Sequence, residues 1–338
     1  MENRGRLLRG YRILLMIQIV LFIPVLALAG GGQHYPNGAE AQLIGVAPPP
    51  GFYIKDYNYY YTANKLKDDH GHTVKLSKGS PVELDQLSVY GNIPRFIWIS
   101  KLELLGGFYG QHLFIPMLNV HLDVDAMTPG GPVKLHDRRG RVGDIIYSPF
   151  ILSWHRKDGL PHAVAAVDVF VPTGAYDKDQ LVNIGKNMWT FEPAFAVTGF
   201  LPWDKNLSAS IKLMYDFNTR NDSFLVGPGT AAKIGNPKAT GVSTHLSPGQ
   251  EFHFDYGIEY VVFDKLRLGI AGYFYQQVTD DDTGVGKVKD DKGRVFAIGP
   301  SAWWTYKKWI FDSHVSFETA TRNRPQGLTA LFDITYAF

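Results

Sequence analysis

One feature constrains this chain more than any other: after residue 50, almost all of it alternates with a period of two. From Phe252 to Tyr260, Phe252, Phe254, Tyr256, Ile258 and Tyr260 are apolar or aromatic, and His253, Asp255, Gly257 and Glu259 stand between them. Successive strand side chains point to opposite faces, so one face is greasy and the other charged. Leu207 to Asn218 and Trp309 to Thr319 repeat the pattern, and amphipathic helical spacing is nearly absent. The rule yields about twelve segments, near 53–64, 93–104, 108–124, 144–155, 162–172, 187–200, 206–219, 250–263, 266–278, 294–305, 308–320 and 328–338. Several exceed the ~9–11 residues that a tilted strand needs to cross a bilayer. Pro116, Pro149 and Pro300 lie inside three of them. Because proline removes a ladder donor, they are expected to mark bulges or misplaced boundaries.

The connections alternate long and short. Residues 65–92, 125–143, 173–186, 220–249 and 279–293 are long. The links at Leu105–Gly107, Lys157–Pro161, Leu201–Lys205, Asp264-Lys265 and Tyr306-Lys307 are short, and 321–327 is of middling length. Long external loops and short periplasmic turns give an up-and-down membrane barrel this rhythm. The fold class is therefore all-β: a transmembrane antiparallel up-and-down β-barrel of 12 strands. A mean hydropathy of −0.11 is no objection, because lipid-facing and lumen-facing residues average out. Outward faces match between the eighth and ninth segments only if Phe263-Asp264-Lys265 forms an odd turn or carries a bulge. Trp154, Trp203, Trp303, Trp304 and Trp309 all lie beside short connections, as an interfacial aromatic belt on one rim requires.

Residues 1–12 are basic, residues 13–29 are apolar, and Ala27-Leu28-Ala29 offers small residues for cleavage. That order reads as a secretory signal peptide over 1–29. The segment 30–52 is a periplasmic tail or a lumen plug, and 53–338 is the barrel. The leader holds four arginines against one glutamate, leaving 30 basic and 31 acidic residues, so net charge gives nucleic-acid binding no support. The absence of cysteine excludes a disulfide scaffold and thiolate chemistry. Gln33 to Gly51 is too rich in proline and glycine for a barrel strand, and plugging would cover Leu43, Ile44 and Val46.

No nucleotide-binding or hydrolase motif occurs. Asp68-Asp69-His70-Gly71-His72, Asp280-Asp281-Asp282 and Asp290-Asp291 are oxygen-rich, but their spacing is not that of an EF-hand. They read as solvated loops. His314 and Ser316 share a strand face with Asp312 and Glu318, so a polar lumen wall explains them better than a lipid-facing hydrolase does. Catalytic, cofactor-binding and metal-ligating residues are not assigned, and no cofactor is implied. The inward set is Asp168, Glu192, Lys212, Asp216, His253, Asp255, Glu259, Arg267, Asp312, His314, Glu318 and Asp333, with Arg267 placed diagonally to Glu259 within pairing reach. These residues line an aqueous or semi-polar path whose charges tune selectivity, or they form salt-bridge networks in a closed barrel. Twelve strands lie between filled and open barrels and leave both readings standing.

Several stretches resemble the outer-membrane family named for the meta-pathway of phenol degradation. They are His34-Tyr35-Pro36-Asn37-Gly38-Ala39-Glu40, Pro48-Pro49-Pro50-Gly51-Phe52-Tyr53, Gly143-Asp144, Val171-Pro172-Thr173-Gly174-Ala175-Tyr176-Asp177, Asn183-Ile184-Gly185-Lys186-Asn187-Met188-Trp189 and Gly272-Tyr273-Phe274-Tyr275-Gln276. The resemblance implies an outer-membrane barrel associated with aromatic-compound breakdown. It implies no phenol-degrading enzyme and transfers no site residues. The terminal Phe338 on an alternating last strand resembles the assembly signal of bacterial outer-membrane barrels. The expected function is a non-enzymatic channel in the bacterial outer membrane for passive uptake of small aromatic or hydrophobic compounds. The alternatives are a structural or surface-interaction barrel without a conducting pore and, third, a barrel hydrolase. The expected partners are the lipid bilayer, a small-molecule permeant and, through the C-terminal strand, the barrel assembly machinery.

Overall fold

The computed structural model describes residues 34–76, 82–128, 131–155 and 161–338; the signal peptide expected over 1–29 lies outside them. In chain order the strands are β1 (Gly51–Leu66), β2 (Val82–Leu104), β3 (Gly107–Phe114), β4 (Met117–Thr128), β5 (Gly131–Val142), β6 (Ile145–Trp154), β7 (His162–Val171), β8 (Thr190–Leu201) and β9 (Asp204–Asn218). There follow β10 (Asn221–Leu225), β11 (Ser243–Ser247), β12 (Glu251–Phe263), β13 (Leu266–Gln277), β14 (Asp281–Thr283), β15 (Gly286–Val288), β16 (Arg294–Tyr306), β17 (Trp309–Arg322) and β18 (Pro325–Ala337).

β1 pairs with both β18 and β2, which closes the sheet on itself. Two walls are broken. β3 and β4 are interrupted at Ile115-Pro116, β5 and β6 at Gly143-Asp144, and the Gly143 N–H donates to the Pro116 carbonyl at 2.8 Å. Counting each broken wall once gives the expected 12-stranded antiparallel barrel, with every expected strand at or near its place. Pro116 sits at a break and Pro149 within a register shift between Tyr147 and Phe150. Pro300 marks neither: Ile298↔Phe317 and Ser301↔His314 keep one register across it.

Four of the short links become two-residue turns, and the one expected at Lys157–Pro161 falls largely outside the described residues. Leu104 pairs with Gly107 around Leu105 (φ 51) and Gly106 (φ 76), the twist-matched geometry of a type I′ hairpin. Phe263 pairs with Leu266, and the parity problem is solved by a register shift between Val261 and Phe263. Trp203, Trp304 and Trp309 are exposed at this rim, with Trp309 4.6 Å from the Tyr336 ring. Trp303 turns inward instead, stacked near the Arg267 guanidinium. β8 has 12 residues and at a ~45° tilt rises roughly 28 Å, enough for the apolar band of a membrane barrel. Asp56, Asn58 and Asn92 interrupt that band on the β1–β2 wall. They bond to one another, the Asn92 amide donating to both Asp56 oxygens at 3.0 and 2.9 Å.

The expected long loops hold more structure than the alternation showed. β2 begins at Val82, and a register shift between Leu84 and Gln86 breaks the phase that would reveal it. β5 falls wholly in a segment expected to be loop; Val133 and Leu135 give way to Asp137 and Arg139 on the same face, which hides the period. β10, β11, β14 and β15 form a separate four-stranded sheet in the loops 220–249 and 279–293, beside α1 (Pro228–Lys233). Its core is Phe224, Val226, Ala231 and Ala239. The solvated-loop reading holds for His70 and His72, but Asp281 and Asp291 are buried in this cap. Burial raises Asp291 to about 6 despite the Lys233 ammonium against it.

Candidate functional site

Residues 34–50 run inside the barrel. With six prolines and glycines over that span, the segment makes no ladder, so its backbone donors must find acceptors on the wall. Asp255 on β12 accepts two of them and a side-chain hydroxyl besides. Its carboxylate accepts from the Tyr35 hydroxyl (2.6 Å), the Gly38 N–H (2.9 Å) and the Glu40 N–H (3.2 Å). Lower down, the Leu43 N–H donates to Glu259 at 3.2 Å, the Gly45 N–H to Thr198 at 2.8 Å and the Gln42 amide to Ser301 at 2.8 Å. Gly38 has φ +74 and lies against Tyr273, where a Cβ would come within 2.5 Å of the ring; no other residue fits that position.

On the opposite wall Glu40 receives Lys55 Nζ at 3.1 Å, Arg95 Nη1 at 2.7 Å and the Tyr57 hydroxyl at 2.8 Å. Burial alone would raise the Glu40 carboxyl, but Lys55 and Arg95 hold it well below the usual carboxylate range. Arg95 continues to His112 (2.8 Å), which donates to Asp168 at 2.8 Å. The segment is thus tied to both sides of the barrel through charged hydrogen bonds, the strong kind.

Asp144, in the break between β5 and β6, joins the segment to the external loop. Its Oδ2 faces His34 Nε2 at 2.8 Å and accepts the Lys186 N–H at 2.7 Å, while Oδ1 accepts the Gly174 N–H at 2.8 Å. Gly174 and Gly185 pass so closely that a Cβ on Gly185 would lie 2.6 Å from the Gly174 carbonyl carbon. Four stretches that carried the family resemblance, around His34, Asp144, Gly174 and Gly185, therefore meet at one carboxylate.

Above the segment lies a cavity of about 350 Å³. Its floor is His34 to Ala39, and its wall is aromatic and aliphatic: Tyr57, Tyr59 and Tyr61 from β1, Leu87, Val89 and Ile93 from β2, Phe114 from β3, Leu118 and Val120 from β4, and Phe170 from β7. Glu40, Asp144, Asp168, Lys186, Glu318 and Arg324 contribute its charged groups.

All twelve residues of the expected inward set face the interior. Ten are buried and Lys212 and Arg267 half-buried. They fall into several separate sets of contacts. Asp255, Glu259 and His314 bind the N-terminal segment, His314 through the Gly38 carbonyl at 2.7 Å. Lys212 sits over the Tyr35 ring at 4.6 Å, and Asp333 holds Lys55 at 3.1 Å beside its register partner Asp312. Glu318 accepts from Tyr61 and Tyr273, both at 2.9 Å. Glu192, Asp216 and His253 form a cluster of their own. Arg267 does not meet Glu259 directly: Ser208 stands between them, 3.0 Å from each. Only Asp168 and Glu318 of the twelve touch the cavity. The residues missed by sequence are Glu40, Lys55, Arg95, His112 and Asp144, and the tyrosines of β1. Extending the two-residue rule through Tyr53, Lys55, Tyr57, Tyr59 and Tyr61 would have found that wall.

Two exposed groups also have metal-ligand chemistry: His121, Asp123 and His136 on the β4–β5 hairpin, and Asp68, Asp69 and His70 in the first loop. In the latter, Asp68 already accepts the His70 and His72 N–H groups.

Residues 63–334 match the family described as "Putative MetA-pathway of phenol degradation". The chain belongs to this family. No curated protein matches it by sequence. Among solved structures it is similar to the COG4313 outer membrane channel from Pseudomonas putida F1, at 16% identity, with 90% of this chain and 100% of that one covered and a TM-score of 0.63. At that identity the likeness establishes the shared barrel fold. A TodX monoaromatic hydrocarbon channel mutant (9% identity, 89% and 92% covered, TM-score 0.48) and the NanC porin (8%, 84% and 98%, 0.40) align less well.

Proposed function

We propose that the barrel is a passive outer-membrane channel for small aromatic or hydrophobic molecules, with residues 34–50 acting as a plug that restricts flow. The observation that carries this is the continuous aromatic and aliphatic wall that β1, β2, β3, β4 and β7 give the cavity above the plug. A dry cavity of ~150 Å³ holds benzene, so about 350 Å³ admits a molecule of one or two rings. The charged inward residues hold the plug and tune what passes beneath it. The family's description and the Pseudomonas putida channel of the same fold agree with the reading. The C-terminal strand, ending in Phe338, serves as the signal for barrel assembly.

Uptake into liposomes tests the permeant class. Protein-bearing vesicles should admit a phenol-sized aromatic faster than a sugar of equal mass, and Val120→Arg, which puts a charge in the cavity wall, should abolish the preference. Equal rates for both solutes, or a preference indifferent to Val120→Arg, would remove the cavity from the account. The density of the plug's hydrogen bonds favours a second reading, a sealed barrel that anchors the external cap; vesicles impermeable to both solutes would establish it.

A further inference from the structure

On the wall beside Tyr35, four ionisable side chains from three neighbouring strands converge: Glu192 from β8, Asp216 from β9, and Glu251 and His253 from β12. Asp216 is the register partner of Glu251, and Met214 that of His253. All four side chains are fully buried. His253 Nε2 lies 3.5 Å from Glu192 Oε2 and 3.4 Å from Asp216 Oδ1. Among the described residues, both oxygens of Glu192, both of Glu251, Asp216 Oδ2, His253 Nδ1 and the Tyr275 hydroxyl have no hydrogen-bond partner.

Three carboxylates and one imidazole cannot stay ionised here unaided. Even with His253 protonated the group would carry a net charge of about −2, and an uncompensated buried charge costs several kcal/mol. Of the nearby cations, Lys212 lies over the Tyr35 ring and Arg324 over the Tyr275 ring, while Lys186 faces Glu251 and leaves Glu192 and Asp216 unbalanced. A divalent cation held by the neutral imidazole of His253 would balance the carboxylates of Glu192 and Asp216 and give their orphaned oxygens a partner. The spacing suits one. Ligand atoms bonded at ~2.1 Å in a tetrahedron stand roughly 3.4 Å apart. The imidazole favours a transition ion such as zinc or manganese over calcium, which takes oxygen ligands.

We propose that Glu192, Asp216 and His253, with Glu251 beside them, form a buried divalent transition-metal site that ties β8, β9 and β12 together under the plug. The Tyr35 ring lies 5.3 Å from that of His253, so the ion would also fix the surface on which the plug rests. The proposal stands whether or not the barrel conducts.

The test uses the mature full-length protein in detergent, without a histidine tag, stripped with chelator and then exposed to zinc, manganese or calcium chloride alone. After desalting, elemental analysis should find one zinc or manganese per chain, with a higher melting temperature than the stripped protein, and no retained calcium. Glu192→Gln/His253→Gln should lose at least nine-tenths of the retained ion, whereas His136→Ala, which disables the exposed hairpin cluster, should keep it. Loss of the ion in His136→Ala alone, or no retained transition ion in the unaltered protein, would overturn the proposal. Should the double variant fail to assemble, anomalous diffraction from zinc-soaked crystals of the unaltered protein decides the matter. A peak between β8, β9 and β12 supports the site, and its absence there refutes it.

Discussion

Asp255→Asn is the sharpest single perturbation of the plug. The carboxylate accepts three hydrogen bonds from the segment, at 2.6, 2.9 and 3.2 Å. Hydrogen bonds to a charged group contribute ~1.5–3 kcal/mol each, and a buried donor left unpaired adds a desolvation penalty of its own. Asparagine keeps the volume and one acceptor oxygen but turns an amino group toward donors that need an acceptor. The seated state should lose about 3–4 kcal/mol, which is two to three orders of magnitude in the seated-to-unseated ratio. The barrel ladder does not depend on this side chain, so the protein should still assemble. Hydrogen exchange read by mass spectrometry reports the change directly: peptides covering 35–42 should exchange at least a hundredfold faster, while those of β12 and β13 stay protected. Planar-bilayer recordings should show more frequent openings. Unchanged exchange over 35–42 would mean that Asp255 does not hold the segment, and the reasoning from its three bonds would fail.

Acid should release the plug through Glu40. Its folded carboxyl is held below the ordinary 4.5, so its contribution is complete above that value and is lost as pH falls through the depressed one; conductance should be flat from neutral to about pH 5 and rise in stronger acid, and Glu40→Gln should remove that rise. Asp291 acts with the opposite sign: raised to about 6 from 3.8, it supports the external cap fully below 3.8 and progressively less as pH rises through 6, so proteolysis of the cap should quicken over that window and Asp291→Asn should make it insensitive. Gly185→Ala drives a methyl into the Gly174 backbone and should cost about 1–3 kcal/mol, seen as faster exchange over 173–189 with the barrel strands unaffected. Deleting Phe338 should reduce the assembled, heat-modifiable form in outer membranes without changing the amount synthesised.

The barrel was readable because each wall strand must satisfy two solvents at once. Phe254 and Tyr256 face lipid while His253 and Asp255 face the interior, and that demand writes itself into adjacent residues. Where the demand lapses, the signal fades. β2 above Asn92 and β5 rise over the membrane, where Glu83, Asp85, Lys134 and Arg138 face water, and the Leu84/Gln86 shift breaks the phase. The small external sheet has strands of three to five residues, too short for an alternation to stand out. The inward direction of Asp255 and Glu259 was legible, but not their use. A carboxylate facing a lumen carries the same pattern whether it meets water or the Gly38 N–H, because its partner lies more than 200 residues away in sequence. The charged residues of β1 and β2, Lys55 and Arg95, were overlooked because tyrosines and isoleucines surround them on the inner face, and that apolar stretch is the cavity wall itself.

On the proposed reading, residues 34–50 close a lumen that would otherwise conduct. Single-channel recording of the mature protein lacking residues 33–50, beside the intact protein in the same bilayer, tests it most directly. Conductance should rise clearly on deletion with the strand content unchanged; equal conductance from two properly assembled barrels would show that the segment is no plug.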